Sequence, residues 1–294
     1  MEYHHKWIFF FTAIIVIGVG GFFVMIQIQK NHPYIKEEPL PRPASELTQT
    51  PLVEVPVIVT IDDAVTDQEK HLTMNIQYPK LALVGHPTLA QEANDVIVAF
   101  VASIKNDFQK DLDEIPLGDT PKDFTSDLTM RFTPLLLSPT IISIRFDVSE
   151  YIAGAAHPNN HVRILNYNVA KHLLLSPTDL FASSTQALPF LSDYTRSALR
   201  TLFADATEDE LSTQMIPGTA PTHENFQEVG ITKTGIVVLF NPYQVAPYAR
   251  GVLEVKIPLA DMSPPREADE LVSVDVQEAI RMATENIVEA KPVE

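Results

Sequence analysis

Gly235-Ile236-Val237-Val238-Leu239-Phe240, then Asn241-Pro242-Tyr243-Gln244-Val245-Ala246-Pro247-Tyr248-Ala249-Arg250-Gly251, then Val252-Leu253-Glu254-Val255-Lys256-Ile257, is the stretch that decides the fold. Its first segment is a run of β-branched and aromatic residues of strand length. Its last alternates apolar with charged side chains. Between them, the eleven-residue connection holds two prolines and two tyrosines and reads as a loop. Residues 252–257 are therefore the antiparallel partner of residues 236–240, and a largely antiparallel sheet is expected.

Working upstream, residues 141–151 place Ile142, Ile144, Phe146 and Val148 on one side of a strand, and residues 126–132 and 161–169 read the same way. Residues 71–78 alternate through Leu72, Met74, Ile76 and Tyr78 and are predicted to stop at Pro79. Residues 53–61 read either as a first strand or as the end of a spacer. Two segments switch to helical spacing. Residues 88–112 carry Leu89, Ala93, Val96, Ile97, Phe100, Val101, Ile104 and Phe108 on one face, with Thr88 and Gln91 spaced as a capping box. Residues 188–203 do so through Leu188, Leu191, Tyr194, Ala198, Leu199 and Leu202. Strands interleaved with two main helices make the fold class α+β. The prolines at 134 and 139 suggest a break between two subdomains, residues 57–135 and 136–262.

The rest of the chain is of a different kind. Residues 7–28 hold 22 residues without a charge, which as a helix would be about 33 Å long, enough to span a bilayer core. The run exceeds the usual apolar region of a secretory signal and ends without a small-x-small cleavage site. The expectation is an uncleaved transmembrane anchor, with residues 1–6 as a short cytoplasmic head and the C-terminal module extracytoplasmic, single-pass in the cytoplasmic membrane. Residues 29–56, with six prolines, form a stalk. Residues 263–294 are Pro-rich, then acidic and helix-favouring, and are expected as a peripheral tail.

Composition narrows function further. The formal net charge is −17, from 38 acidic against 21 basic side chains. Such a chain repels phosphate backbones, so nucleic acid is not an expected partner, while cationic partners are attracted. There is no cysteine, which excludes disulfides, thiolate metal sites and cysteine nucleophiles.

Three stretches together resemble the paired extracytoplasmic domains shared by RsiV-type anti-sigma factors and PdaC-type peptidoglycan deacetylases. The most specific is residues 240–251 followed by Val255-Lys256-Ile257-Pro258-Leu259. A second is Tyr151-Ile152-Ala153-Gly154-Ala155-Ala156-His157-Pro158-Asn159, then Asn166-Tyr167-Asn168 and residues 175–181; the family usually has two glycines where this chain has Gly154-Ala155. The third and weakest is Met74-Asn75-Ile76-Gln77-Tyr78-Pro79. The resemblance covers roughly residues 55–260. It implies an α+β module of largely unknown biochemical role outside the cytoplasmic membrane, associated with the wall or wall-active enzymes. It implies no catalysis, since the chemistry of the deacetylase belongs to a separate downstream domain. A six-residue head is too short to hold a sigma factor.

Candidate ligand-binding residues are His157, Asn159, Tyr243, Tyr248 and Arg250. His157 and His161 are four apart, but Pro158-Asn159-Asn160 reads as a turn and no helix can bring them onto a zinc ion. His157 is then a turn histidine bonded to nearby backbone, or a ligand contact. Tyr243 and Tyr248 either stack on a glycan or partner, or pack back on the module. Arg250 clamps a carboxylate or pairs with an acidic neighbour. The acid pairs Asp62-Asp63 and Glu208-Asp209-Glu210 read as solvated charges, and Ser183-Ser184 has no nucleophile-elbow context. No catalytic residue, metal site or cofactor is expected. The function that fits is a membrane-anchored binding or sensing module for a cell-wall glycan or a cationic wall-active protein. A hydrolase of wall polymers is the alternative.

Overall fold

The computed structural model describes residues 55–114, 124–204, 207–208, 211–262 and 273–288, all within one compact unit. The expected head, anchor, most of the stalk and residues 263–272 lie outside the described residues. Among those described, no helix is long and apolar enough to cross a membrane.

Among the described residues, the fold is α+β with mostly antiparallel sheets and four helices. Six strands form one sheet in sequence order: β1 (Val57–Asp67), β2 (Leu72–Ala82), β3 (Ser126–Leu137), β4 (Ile141–Tyr151), β5 (Asn159–Asn168) and the short β6 (Leu173–Leu174). Only β2 and β3 are parallel, because helix α1 (Pro87–Asp113) is the crossover between them. A second sheet is β7 (Val229–Thr232), β8 (Gly235–Phe240) and β9 (Leu253–Pro258), antiparallel throughout, with Ile236 opposite Ile257. The other helices are α2 (Ser184–Leu202), the single turn α3 (Ile216–Gly218) and α4 (Val274–Val288).

These elements stack as four layers. Ile142, Ile144, Phe146 and Val148 of β4 pack with Leu128 and Met130 of β3 against Ile97, Val101, Ile104 and Phe108 of α1. The opposite face of the same sheet meets the second sheet through Leu135, Val162, Ile164, Val237, Leu239 and Val252. The far face of the second sheet, with Ile236, Val238, Phe240 and Ile257, packs on Leu191 and Leu199 of α2 and on α4. β8 is buried at every position, which explains its unbroken apolar run.

Several elements differ from what the sequence suggests. β2 continues through Pro79 because β3 pairs with it only as far as Ile76; beyond that β2 has a neighbour on one side only, and a missing N–H costs little at an edge. β3 likewise runs through Pro134, carrying a bulge between Pro134 and Leu136. The bulge changes which side of the sheet each side chain meets. Phe132 packs toward α1, whereas Leu136 joins the core around α2. Helix α1 begins at Pro87, with His86 as its N-cap and no side-chain capping bond; proline suits the first helical position, where the N–H has no partner. Gln91 bonds Asp95 (2.7 Å) instead of completing a capping box. The tail expected to be peripheral contributes α4, whose Val276, Ala279, Ile280 and Ala283 are buried in the second core.

Candidate functional site

The loop from β8 to β9 is a rigid structure. Asn241 and Gln244 close a tight turn, the Gln244 N–H donating to the Asn241 carbonyl (3.1 Å). Pro242 occupies its second position and Tyr243 its third, with φ 70°, where Gly or Asn normally sits. The Gln244 amide donates to the carbonyls of Asn225 (2.8 Å) and Gly218 (3.2 Å). Val245 and Ala246 plug into the core. Gly218 lacks a side chain for a reason: a Cβ there would lie 1.9 Å from the Gln244 carbonyl oxygen.

Against this loop stands the turn between β4 and β5. Gly154 takes a φ of 96°, and the Ala155 N–H donates to the Ile152 carbonyl. Three rings form a ladder across the two loops. Tyr243 and Tyr248 have centroids 5.4 Å apart at 35°, and Tyr248 and His157 are 4.3 Å apart at 30°. The Tyr248 hydroxyl donates to the Pro158 carbonyl (2.7 Å) and accepts from the Asn160 amide (2.9 Å). The same carbonyl accepts from His157 Nδ1–H (2.9 Å). Tyr248 is half-buried, while Tyr243 is 58% exposed. The middle ring, Tyr248, and the exposed His157 at one end are thus fixed by hydrogen bonds, while Tyr243 at the other end faces solvent.

Two of the five candidates lie apart from this ladder. Asn159 is on the other side of β5 from Asn160, as strand alternation requires, and its amide donates to Glu150 (3.4 Å). There it belongs to a half-buried polar group. Glu150 and His161 approach to 3.8 Å, and burial pushes the Glu150 carboxyl up and the His161 imidazole down from their ordinary values. The Arg250 guanidinium carbon lies 4.6 Å from the centre of the Phe203 ring, and among the described residues none of the guanidinium's contacts is with the ladder.

Sequence reasoning missed the groups that fasten the two sheets. Asn241 Oδ1 accepts from the Val162 N–H (2.8 Å), and its amide reaches the Val162 carbonyl (3.4 Å), so a side chain pairs like a strand with the edge of β5. Glu228 accepts from the Ile164 N–H (2.6 Å) and approaches Arg163 (3.4 Å). Burial raises its carboxyl pKa to about 7, even though Arg163 and that hydrogen bond pull the other way. Ser143 donates to Asn166 (2.6 Å) and accepts from the Ile231 N–H (3.0 Å), while the Asn166 amide donates to the Val229 carbonyl (2.7 Å). All of these bonds join residues more than twenty positions apart, and no local pattern announces them.

Residues 178–260, which hold α2, the second sheet and the aromatic loop, match the family described as "Protein of unknown function (DUF3298)". The chain carries a DUF3298 domain. It is also 25% identical over 242 residues to the peptidoglycan-N-acetylmuramic acid deacetylase PdaC of Bacillus subtilis (strain 168), covering 82% of this chain but 46% of that protein. The chain therefore spans less than half of this relative. Among solved structures, a DUF3298 family member from Bacteroides fragilis NCTC 9343 superposes with a TM-score of 0.51 at 15% identity, covering 80% of this chain and 99% of that one. A DUF3298 family protein from Pseudomonas aeruginosa PAO1 gives 0.50 at 13% identity, covering 76% and 96%. These two likenesses concern the fold alone. The DUF3298 domain and the relationship to PdaC agree with the resemblance carried by residues 240–259.

Proposed function

We propose that this protein is a binding or sensing module, held at the outer face of the cytoplasmic membrane by residues 7–28, which contacts a cell-wall glycan through Tyr243, Tyr248 and His157. The ladder is the observation that carries this reading. A tyrosine face offers apolar area for the C–H face of a sugar ring, and its hydroxyl reaches the flanking polar groups. Preorganisation matters equally, because a rigid platform loses little entropy on binding. In Tyr248 both hydroxyl partners are already in place, and Tyr243 is held out by the turn. The peptidoglycan-directed name of the relative PdaC adds the substrate class as an analogy, not as a transfer of its activity.

Retention of the full chain, in detergent, on insoluble peptidoglycan tests the proposal. The wild-type protein is expected to be retained and Tyr243→Ala to pass through. Equal retention of both would sink the platform, and release of soluble sugar reducing ends by the wild type would turn the reading toward the hydrolase alternative.

The net charge of −17 favours a second reading, a cationic wall-active protein as the partner. In that case binding to a basic protein falls steeply with ionic strength, whereas stacking on a neutral glycan barely changes with salt.

A further inference from the structure

Arg250 is the starting point. In a chain with 38 acidic and 21 basic side chains, three of the described arginines pair with carboxylates, while Arg131 and Arg196 bond backbone carbonyls and hydroxyls instead. Arg145 has Asp147 and Glu254, Arg163 has Glu228 and Asp107, and Arg281 has Glu278. The Arg250 side chain makes no ion pair or hydrogen bond among the described residues, and its one contact of note is the face of Phe203. The cation sits over the ring, and its N–H donors make no bond among the described residues. A guanidinium whose donors are unbonded can make two parallel bonds to a carboxylate.

What lies beside it decides which carboxylate. Arg250 and Phe203 border a cleft of about 50 Å³ also lined by Leu211, Gln214, Pro247 and the buried Met215, Val245 and Ala246. That volume takes a methyl or similarly small group. It does not take an aromatic ring. Burying a methyl there removes apolar surface from water, and Gln214, which lines the cleft, carries an amide able to donate to and accept from a peptide group.

We infer that Arg250, Phe203 and Gln214 form a subsite for a free carboxylate borne next to a small apolar group, the chemistry of a short peptide ending in alanine. This deepens the proposed function and in part rests on it. Arg250 and Tyr248 belong to one short helical turn of the same loop, so a glycan carrying a short peptide has both sites within one loop to engage. The positive charge supplies complementarity on an otherwise acidic chain, and the small cleft excludes larger side chains.

The test uses the full chain in detergent and N-acetyl-D-alanyl-D-alanine, with its C-terminal amide as the control, followed by chemical-shift changes of methionine methyl groups, Met215 among them. The free acid is expected to shift the Met215 signal saturably and the amide to bind at least about tenfold more weakly, the loss of a charged hydrogen-bond pair. Arg250→Lys keeps the charge without the fork and is expected to weaken binding. Arg250→Gln is expected to abolish it, with the thermal midpoint of unfolding unchanged. Equal affinity for acid and amide, no shift with either, or full binding by Arg250→Gln overturns the inference. Tyr243→Ala separates this subsite from the glycan platform. Loss of glycan retention with intact peptide binding leaves the subsite standing; intact glycan retention without peptide binding leaves the platform and removes the subsite.

Discussion

Tyr243 carries a backbone angle that side-chain-bearing residues avoid, at a cost of about 1–2 kcal/mol. Its ring is more than half exposed and, among the described residues, stacks on Tyr248 alone, a contact of about 0.5–1.5 kcal/mol. Strain and stacking nearly cancel, so packing alone does not account for a tyrosine here, and glycine would serve the turn better. Tyr243→Gly is accordingly expected to change the unfolding free energy by less than about 1 kcal/mol in denaturant titration, while removing retention on peptidoglycan. A loss of several kcal/mol would instead make Tyr243 a packing residue. Asn241 has the opposite character. Replacing it by alanine strips the Val162 N–H of its acceptor and is expected to destabilise by about 1–3 kcal/mol. Unchanged stability would mean that water replaces the amide at this edge.

At the scale of elements, the aromatic loop depends on a turn that does not touch the ladder. Gly218 of α3 lies directly beneath Gln244, and a methyl at this position meets backbone rather than a movable side-chain end. Gly218→Ala is expected to push the loop outward, costing about 1–3 kcal/mol and weakening glycan retention even though every ring remains. Retention at the wild-type level with wild-type stability would show that the loop adapts freely. Helix α4 offers another test. Truncation after Met262 removes Val276 and Ile280 from the second core, a loss of about 3–6 kcal/mol for these two side chains, so a marked fall in melting temperature is expected. These two elements also show what the sequence could reveal. Strand alternation in β4 and helical spacing in α1 and α2 were legible because each depends on neighbours within one element. α4 was legible as a helix-favouring segment, but its acidic composition hid the buried face that Val276, Ala279, Ile280 and Ala283 form at helical spacing. β2 and β3 were cut short at proline because whether a strand is at an edge depends on distant pairing. The same limit applies to the site. Tyr243, Tyr248 and His157 were recognisable as residue types in loops, but the hydrogen bonds of Asn160 and Asn241 that set their geometry join positions 88 and 79 apart.

For the molecule as a whole, the interface between the two sheets is what makes four layers one body, and it contains a buried acid. Glu228 has a folded-state pKa of about 7, above its ordinary 4.5. The folded protein therefore holds this proton more tightly than the unfolded chain. The stability contributed by the neutral carboxyl is complete below about pH 4.5 and is lost as pH rises through 7, by on the order of 3 kcal/mol. His161 acts in the other direction: burial lowers its imidazole pKa, so its contribution is lost as pH falls below the ordinary 6.5. A variant that keeps His161 but lacks the Glu228 titration isolates the first effect. In Glu228→Gln the side-chain oxygen can still accept from the Ile164 N–H, while nothing ionises between the sheets. Urea unfolding across this range is expected to show wild-type stability declining from pH 4.5 to 7 relative to the variant and then running parallel to it. If the two profiles stay parallel throughout, Glu228 is ionised in the folded state across the whole range, and Arg163 outweighs burial at the junction of the sheets.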